Sequence, residues 1–124
     1  MRILLVDTDK TILKKTEEDI ASLLPEAEIL SHESSLTALA AARKKMIDIA
    51  FLETDLPEID GLLLGQYLRD LNPQINLIYC TGSPDHGLDA LRLHASGYIL
   101  KPLTPERIRH ELAHLRFPVR GLTP

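Results

Sequence analysis

The groups in this sequence that could do chemistry lie in small polar clusters, each directly after a short apolar run. Asp7, Thr8 and Asp9 follow the run at 3–6, Glu53 and Asp55 follow 49–52, Thr81 follows 75–80, and Lys101 and Pro102 follow 98–100. Grouped carboxylates suit a hard cation held through oxygen, while a hydroxyl and an ammonium opposite them suit the oxygens of a phosphoryl group. Phosphoryl chemistry is the expectation if the runs are neighbouring strands. Asp7 at a buried strand end asks for a site role, because carboxylates are seldom buried unpaired. Asp9 is suited to cap the helix that follows, and Thr81 also fits a strand terminus as a β-branched residue. Lys101, directly after Ile99-Leu100, needs an acidic partner, and Glu53 or Asp7 is the obvious one.

A second constellation belongs to a different class. His110-Glu111-Leu112-Ala113-His114 matches H-E-x-x-H, the pattern of a zinc hydrolase. A catalytic zinc needs a third protein ligand, and 115–124 contains no His, Asp, Glu or Cys. With Ile108, Leu112 and Leu115 facing inward, both histidines are expected on the solvated side, where an i, i+4 pair can still take up a metal ion adventitiously. Cys80, inside an apolar run with nothing cationic beside it in sequence, reads as a small core residue.

The elements that must position these groups are legible from periodicity. Five strand-sized apolar runs, at 3–6, 27–30, 49–52, 75–80 and 98–100, alternate with stretches of helical spacing, the pattern of repeated βα units. Runs apolar at every position, such as Ile3-Leu4-Leu5-Val6, indicate strands buried on both faces of a parallel sheet. The first helix, 9–24, carries Leu13, Thr16, Ile20, Leu23 and Leu24 on one stripe and stops at Pro25. Ser34 or Ser35 can cap a second helix with Leu39, Ala42 and Met46 inward; Asp60 can cap a third with Leu64, Tyr67, Leu68 and Leu71 inward. A fourth helix is expected over 84–95. A fifth starts at Thr104-Pro105-Glu106, a Thr cap with proline at the first helical position. The prediction is an α/β fold, a (βα)5 doubly wound sheet of strand order 2-1-3-4-5, with ligands at the carboxyl ends of the strands. Residues 1–116 form the domain; 117–124, with Pro118, Gly121 and Pro124, reads as a tail or linker stub.

Composition narrows the classes. The chain has 124 residues, 44% hydrophobic and 26% charged, as in ordinary globular domains. Lys+Arg 14 against Asp+Glu 18 gives a net charge of -4, with no basic excess to neutralise a duplex, so direct nucleic-acid binding is not expected. No stretch is long and apolar enough for a membrane span, no signal-peptide layout follows Met1, and one cysteine cannot form an internal disulfide. A cytoplasmic protein is expected.

Four motifs, in order and on the expected elements, carry a family resemblance: VDTD at 6–9, DIAFLETDLPEIDG at 48–61, Thr81-Gly82, and YILKP at 98–102. Together they resemble the receiver domain of bacterial two-component response regulators, over residues 1–116. The stretch LDALRLHASGYILKPLTPERI looks most like receivers joined to transcription outputs of the LytTR or antibiotic-regulatory-protein type.

The resemblance implies a flavodoxin-like fold and a non-enzymatic signalling role in a phosphorelay. It implies an aspartate at the end of the third strand that accepts a phosphoryl group from a histidine kinase, and Mg²⁺ held by an acidic pair after the first strand. Here the acceptor position, located by Pro57 and Gly61, is Glu53, and the second acidic position is Thr8. The implied pocket is Asp7, Thr8 and Asp9, with Asp7, Glu53 and the Asp55 carbonyl as a weakened Mg²⁺ site. Thr81 and Lys101 are the implied phosphoryl contacts, Pro102 resembles a cis-proline that aims the lysine, and Tyr98 aligns with a switch aromatic or is a strand aromatic packed on the fourth helix. A degenerate receiver that controls an output domain or regulator protein is the reading; a still-phosphorylatable, Mg²⁺-dependent receiver of a histidine kinase is the alternative. Partner docking, including a homodimer, is expected on the fourth helix, fifth strand and fifth helix.

Overall fold

The computed structural model describes residues 1–83 and 94–122. Five parallel strands, β1 (Arg2–Val6), β2 (Glu28–His32), β3 (Ile49–Glu53), β4 (Asn76–Thr81) and β5 (Gly97–Leu100), form one sheet in the order 2-1-3-4-5. The helices are α1 (Lys10–Leu23), α2 (Ser35–Lys44), α3 (Gly61–Leu71) and, as the last in the described chain, α4 (Pro105–Leu112), the helix expected fifth. The helix expected over 84–95 falls almost wholly outside the described residues.

Strand alternation divides the core into two layers. Leu4, Val6, Ala50, Leu52, Leu77 and Tyr79 face α2 and α3, meeting Ala38, Leu39, Leu64 and Leu68. Ile3, Leu5, Phe51, Ile78, Cys80 and Ile99 face α1 and α4, meeting Leu13, Ile20 and Ile108. Both strand faces are thus covered, which is why these runs do not alternate with polar residues.

Asp9 caps α1 through Oδ1, which accepts from Thr11 N at 2.9 Å and Ile12 N at 3.2 Å. Ser34, not Ser35, caps α2, accepting from Leu36 N. Ser35 is buried and holds the loop after β3, donating to the Pro57 carbonyl and accepting from Ile59 N. Thr104 caps α4 by accepting from Arg107 N, with Pro105 in the first turn, as its sequence predicts.

Three expected inward residues are exposed instead. α2 ends at Lys44, so Met46 lies beyond it and is 62% exposed; Tyr67 and Leu71 are 40% and 45% exposed. On α3 the inward positions belong to Gly61, Leu64, Gly65 and Leu68, which turns Tyr67 and Leu71 outward. Both glycines are needed for close approach: a Cβ at Gly61 would strike the Glu53 carbonyl, and one at Gly65 the Tyr79 hydroxyl. Asp60 occupies the cap position of α3 without a side-chain cap hydrogen bond.

The segment read as a tail is fastened to the sheet. The Asn76 amide accepts from Phe117 N and donates to Phe117 O, both at 2.9 Å, and Val119 is buried against the α1 and α4 layer. Local periodicity carries no trace of a pairing across 41 positions.

Candidate functional site

Sheet register brings the polar clusters to one end. Val6 lies beside Leu52, Glu53 beside Cys80, and Thr81 beside Leu100, so the residues leaving β1, β3, β4 and β5 emerge side by side. Backbone bonds extend the ladder beyond the strands, with Thr54 N donating to Cys80 O and Lys101 N to Thr81 O. The Lys101–Pro102 peptide bond is cis.

At the centre, Lys101 Nζ donates to Glu53 Oε1 at 2.6 Å and to Asp7 Oδ2 at 2.8 Å. The three side chains are only 10–16% exposed. The remaining carboxylate oxygens are also engaged: Asp7 Oδ1 accepts from Asp9 N at 2.9 Å, and Glu53 Oε2 accepts from Asp55 N at 3.2 Å and the Thr54 hydroxyl at 3.3 Å. Burial opposes the charge of Lys101, but the hydrogen bonds and charges of Asp7 and Glu53 outweigh it and hold its pKa above the ordinary lysine value. The site is therefore a compact triad of two carboxylates and one ammonium, each carboxylate also anchored by donors from the loop it opens.

Around it, Thr81 is fully buried and its hydroxyl accepts from Ser83 N at 3.1 Å. Tyr98 is half-buried, and its hydroxyl donates to the Ser83 carbonyl at 2.7 Å. Ser83 thus links Thr81 to Tyr98, a connection that residue types alone did not point to. Thr54, buried beside Glu53, is a second such residue: its carbonyl accepts from Gly61 N and from Leu56 N, fixing the loop that carries Asp55.

Cys80 is buried in the core, and burial pushes its thiol pKa up, away from reactivity. His110 and His114 are exposed, as expected, and no group of three or more His, Cys, Asp or Glu side chains among the described residues is placed to hold a metal. The zinc-hydrolase alternative has no third ligand there.

The model of the response regulator receiver domain matches residues 3–113. The chain belongs to the response regulator receiver family. Among curated relatives, MrkE of Klebsiella pneumoniae is 31% identical over 85 residues, 68% of this chain and 32% of that protein. The transcriptional regulatory protein YpdB of Escherichia coli K12 is 30% identical over 83 residues, 67% of this chain and 34% of its own length. The chain thus spans about a third of these two relatives. The response regulatory domain of Klebsiella pneumoniae MrkE is similar in structure, with TM-score 0.84, 27% identity, and coverage of 93% of this chain and 94% of that one. A CheY-like receiver from Methanospirillum hungatei has TM-score 0.80 at 26% identity, covering 90% of each chain. Receiver domains are signalling modules of two-component systems rather than enzymes, and the predicted fold and strand order are those of this family. No helix among the described residues is long and apolar enough to cross a membrane.

Receivers generally hold Mg²⁺ at this end of the sheet, where this chain offers Asp7, Glu53 and the Asp55 carbonyl. Asp9 Oδ1 makes the α1 cap, Thr8 brings no charge, and the Lys101 ammonium stands between Asp7 and Glu53. The donors left are the Asp55 carbonyl and the carboxylate oxygens turned away from Lys101, Asp7 Oδ1 and Glu53 Oε2, which already accept from Asp9 N, Asp55 N and the Thr54 hydroxyl.

Proposed function

We propose that this receiver is degenerate and that Glu53 serves as a fixed, partial stand-in for the phosphorylated state. The observation that carries this reading is the 2.6 Å contact of Lys101 Nζ to Glu53 Oε1, with a glutamate at the position where the family's motif has its acceptor aspartate. A phosphoryl group brings about -1.5 to -2 charges and three acceptor oxygens, whereas Glu53 brings one charge and two oxygens. It engages Lys101 but leaves the Thr81 hydroxyl with Ser83, so only part of the phosphorylated contact set is imitated. A ligand shifts a two-state equilibrium only by its differential interaction with the states, and Glu53 supplies the Lys101 contact without the Thr81 one, so its shift is partial. The domain accordingly rests in a mixed state that does not wait on a kinase.

Glu53 is also a poor acceptor. Its carboxylate is one methylene further from the backbone than that of aspartate, and a displacement of about 1 Å costs roughly 10²-fold in a positioned reaction. Mg²⁺ binding is weakened for the reasons given by the donor set.

The readout is control of an output, transcription by analogy with relatives named as transcriptional regulators. The docking surface is the face of β5 and α4, where a groove of about 320 Å³ is lined by Tyr98, Leu100, Arg107, His110 and Glu111. Tyr98 reaches both this groove and, through Ser83, Thr81. A second copy of the chain or an output domain is the occupant.

The deciding experiment is intact-protein mass spectrometry after incubation with acetyl phosphate and Mg²⁺. No phosphoryl mass is expected on the parent chain, and Thr8→Asp combined with Glu53→Asp is expected to restore labelling. Stoichiometric, Mg²⁺-dependent labelling of Glu53 would return the protein to the ordinary phosphorelay class.

A further inference from the structure

The receiver reading leaves one chemical feature unused, the histidine pair at the end of α4. His110 and His114 are both exposed, and their rings lie side by side with centroids 4.3 Å apart and planes inclined at 34°. His114 Nδ1 is 2.7 Å from the His110 carbonyl oxygen. A carbonyl can only accept, so Nδ1 carries a proton, and in the neutral tautomer that makes this contact Nε2 holds the lone pair. Metal-binding histidines are oriented in this way, one ring nitrogen donating to a carbonyl while the other faces the ion.

We infer that His110 and His114 form a chelating site for a borderline divalent transition ion of the Zn²⁺, Ni²⁺ or Cu²⁺ class, with water completing its coordination. Imidazole nitrogens suit these ions and not Mg²⁺. Two nitrogens sharing a tetrahedral ion at bonds of about 2.0–2.1 Å stand roughly 3.3 Å apart, within reach of rings already this close. The position favours positive charge for a second reason. His114 follows the last turn of α4, where the backbone carbonyls present the negative end of the helix dipole.

The site is a binding site and not a hydrolase centre. A glutamate serving as a general base would have to face the ion, but the Glu111 carboxylate lies against Gly97 on β5, where a Cβ would collide with it. Because His110 also lines the β5 groove, a bound ion adds positive charge at the rim of the proposed docking face; the chelate itself does not depend on that docking role.

The test is calorimetric titration of the chain with Zn²⁺, in the absence and presence of excess Mg²⁺. Binding of about one Zn²⁺ per chain is expected, unaffected by Mg²⁺, with His110→Ala and His114→Ala each weakening it about tenfold or more and His32→Ala leaving it unchanged. Circular dichroism and thermal melts of the exposed-site variants verify their folding. Parental affinity in either single variant would show that the two rings do not chelate together and would overturn the inference. So would Zn²⁺ binding that survives the double variant and is displaced by Mg²⁺, which would place the ion at Asp7 and Glu53. Neither result bears on whether Glu53 is phosphorylated.

Discussion

Glu53 and Lys101 are separated by 48 positions, yet Lys101 Nζ meets Glu53 Oε1 at 2.6 Å, closer than the 2.8 Å at which it meets Asp7 Oδ2. The lysine is held between two carboxylates that would otherwise repel each other across the ends of β1 and β3. Removing it uncovers two charges at once, whereas removing one carboxylate leaves an ion pair intact.

Lys101→Met should therefore destabilise the fold more than Glu53→Gln. Breaking a buried pair by deleting one partner costs about 3–5 kcal/mol, and the residual exposure of these side chains places Lys101→Met near the lower bound. Urea unfolding of the two single variants and the double variant measures the coupling. The double variant should be less destabilised than the sum of the singles; simple additivity would mean that the contact is energetically idle.

The pH dependence of that difference has a defined sign. Lys101 has a raised folded-state pKa because Asp7 and Glu53 outweigh its burial. A group that holds its proton more tightly when folded stabilises fully below its unfolded pKa, and the contribution is lost as pH rises through the folded value. The stability gap between the parent and Lys101→Met should stay level from about pH 6 to about pH 9 and narrow only above the ordinary lysine range of about 10.4. Closure of the gap near pH 8 would contradict the assignment.

The sheet and the polar site were legible because both depend on strand registry. A largely apolar run followed at once by a polar or charged residue marks the carboxyl end of a buried strand, and Asp7, Glu53, Thr81 and Lys101 all carry that mark. What escaped was set by partners distant in sequence. Tyr67 and Leu71 fit an inward stripe until Gly61 and Gly65, pressed against the Glu53 carbonyl and Tyr79, claim the inner face of α3. Ser35 binds a loop more than twenty residues away, and Ser83 gains its place only when Tyr98 arrives from the neighbouring strand.

Beside the proposed docking groove, on the same helix but outside its lining, Arg109 is a cleaner charge probe than Arg107. Arg107 Nη1 donates to the Leu100 carbonyl at 2.6 Å and the Pro102 carbonyl at 3.0 Å, so reversing its charge also disturbs the loop that carries Lys101. Arg109→Glu should change self-association or output binding, read by sedimentation, more than Lys14→Glu or Lys15→Glu on α1. Equal effects would move the interface elsewhere.

Asn76 should behave as the fastener of 117–122. Its amide pairs with both backbone groups of Phe117, and its Oδ1 also accepts from the Ser96 hydroxyl at 2.7 Å. Asn76→Ala leaves part-buried polar groups of Phe117 and Ser96 without these partners, and with each fully buried group costing about 1–3 kcal/mol, a loss of about 1–3 kcal/mol is expected. Hydrogen exchange at the Phe117 amide should accelerate well beyond that at Leu5 or Ile78; uniform acceleration would mean global destabilisation rather than release of the segment.

Glu111 should be a site where removing a charge stabilises the protein. Burial pushes its pKa up, and the nearby His110 and His114 only partly offset this. A carboxylate with a raised folded-state pKa holds its proton more tightly in the native state, so between the unfolded and folded values the native state binds more protons and stability falls as pH rises. Above that window the ionised carboxylate is carried at a cost; below about pH 4 it is neutral in both states and the cost is gone. Glu111→Gln keeps the shape beside Gly97 while deleting the charge, so its melting temperature should exceed the parent's at neutral pH, with the difference vanishing in acid. If Glu111→Gln were less stable than the parent at neutral pH, the carboxylate would have to be receiving more from the two histidines than burial takes away.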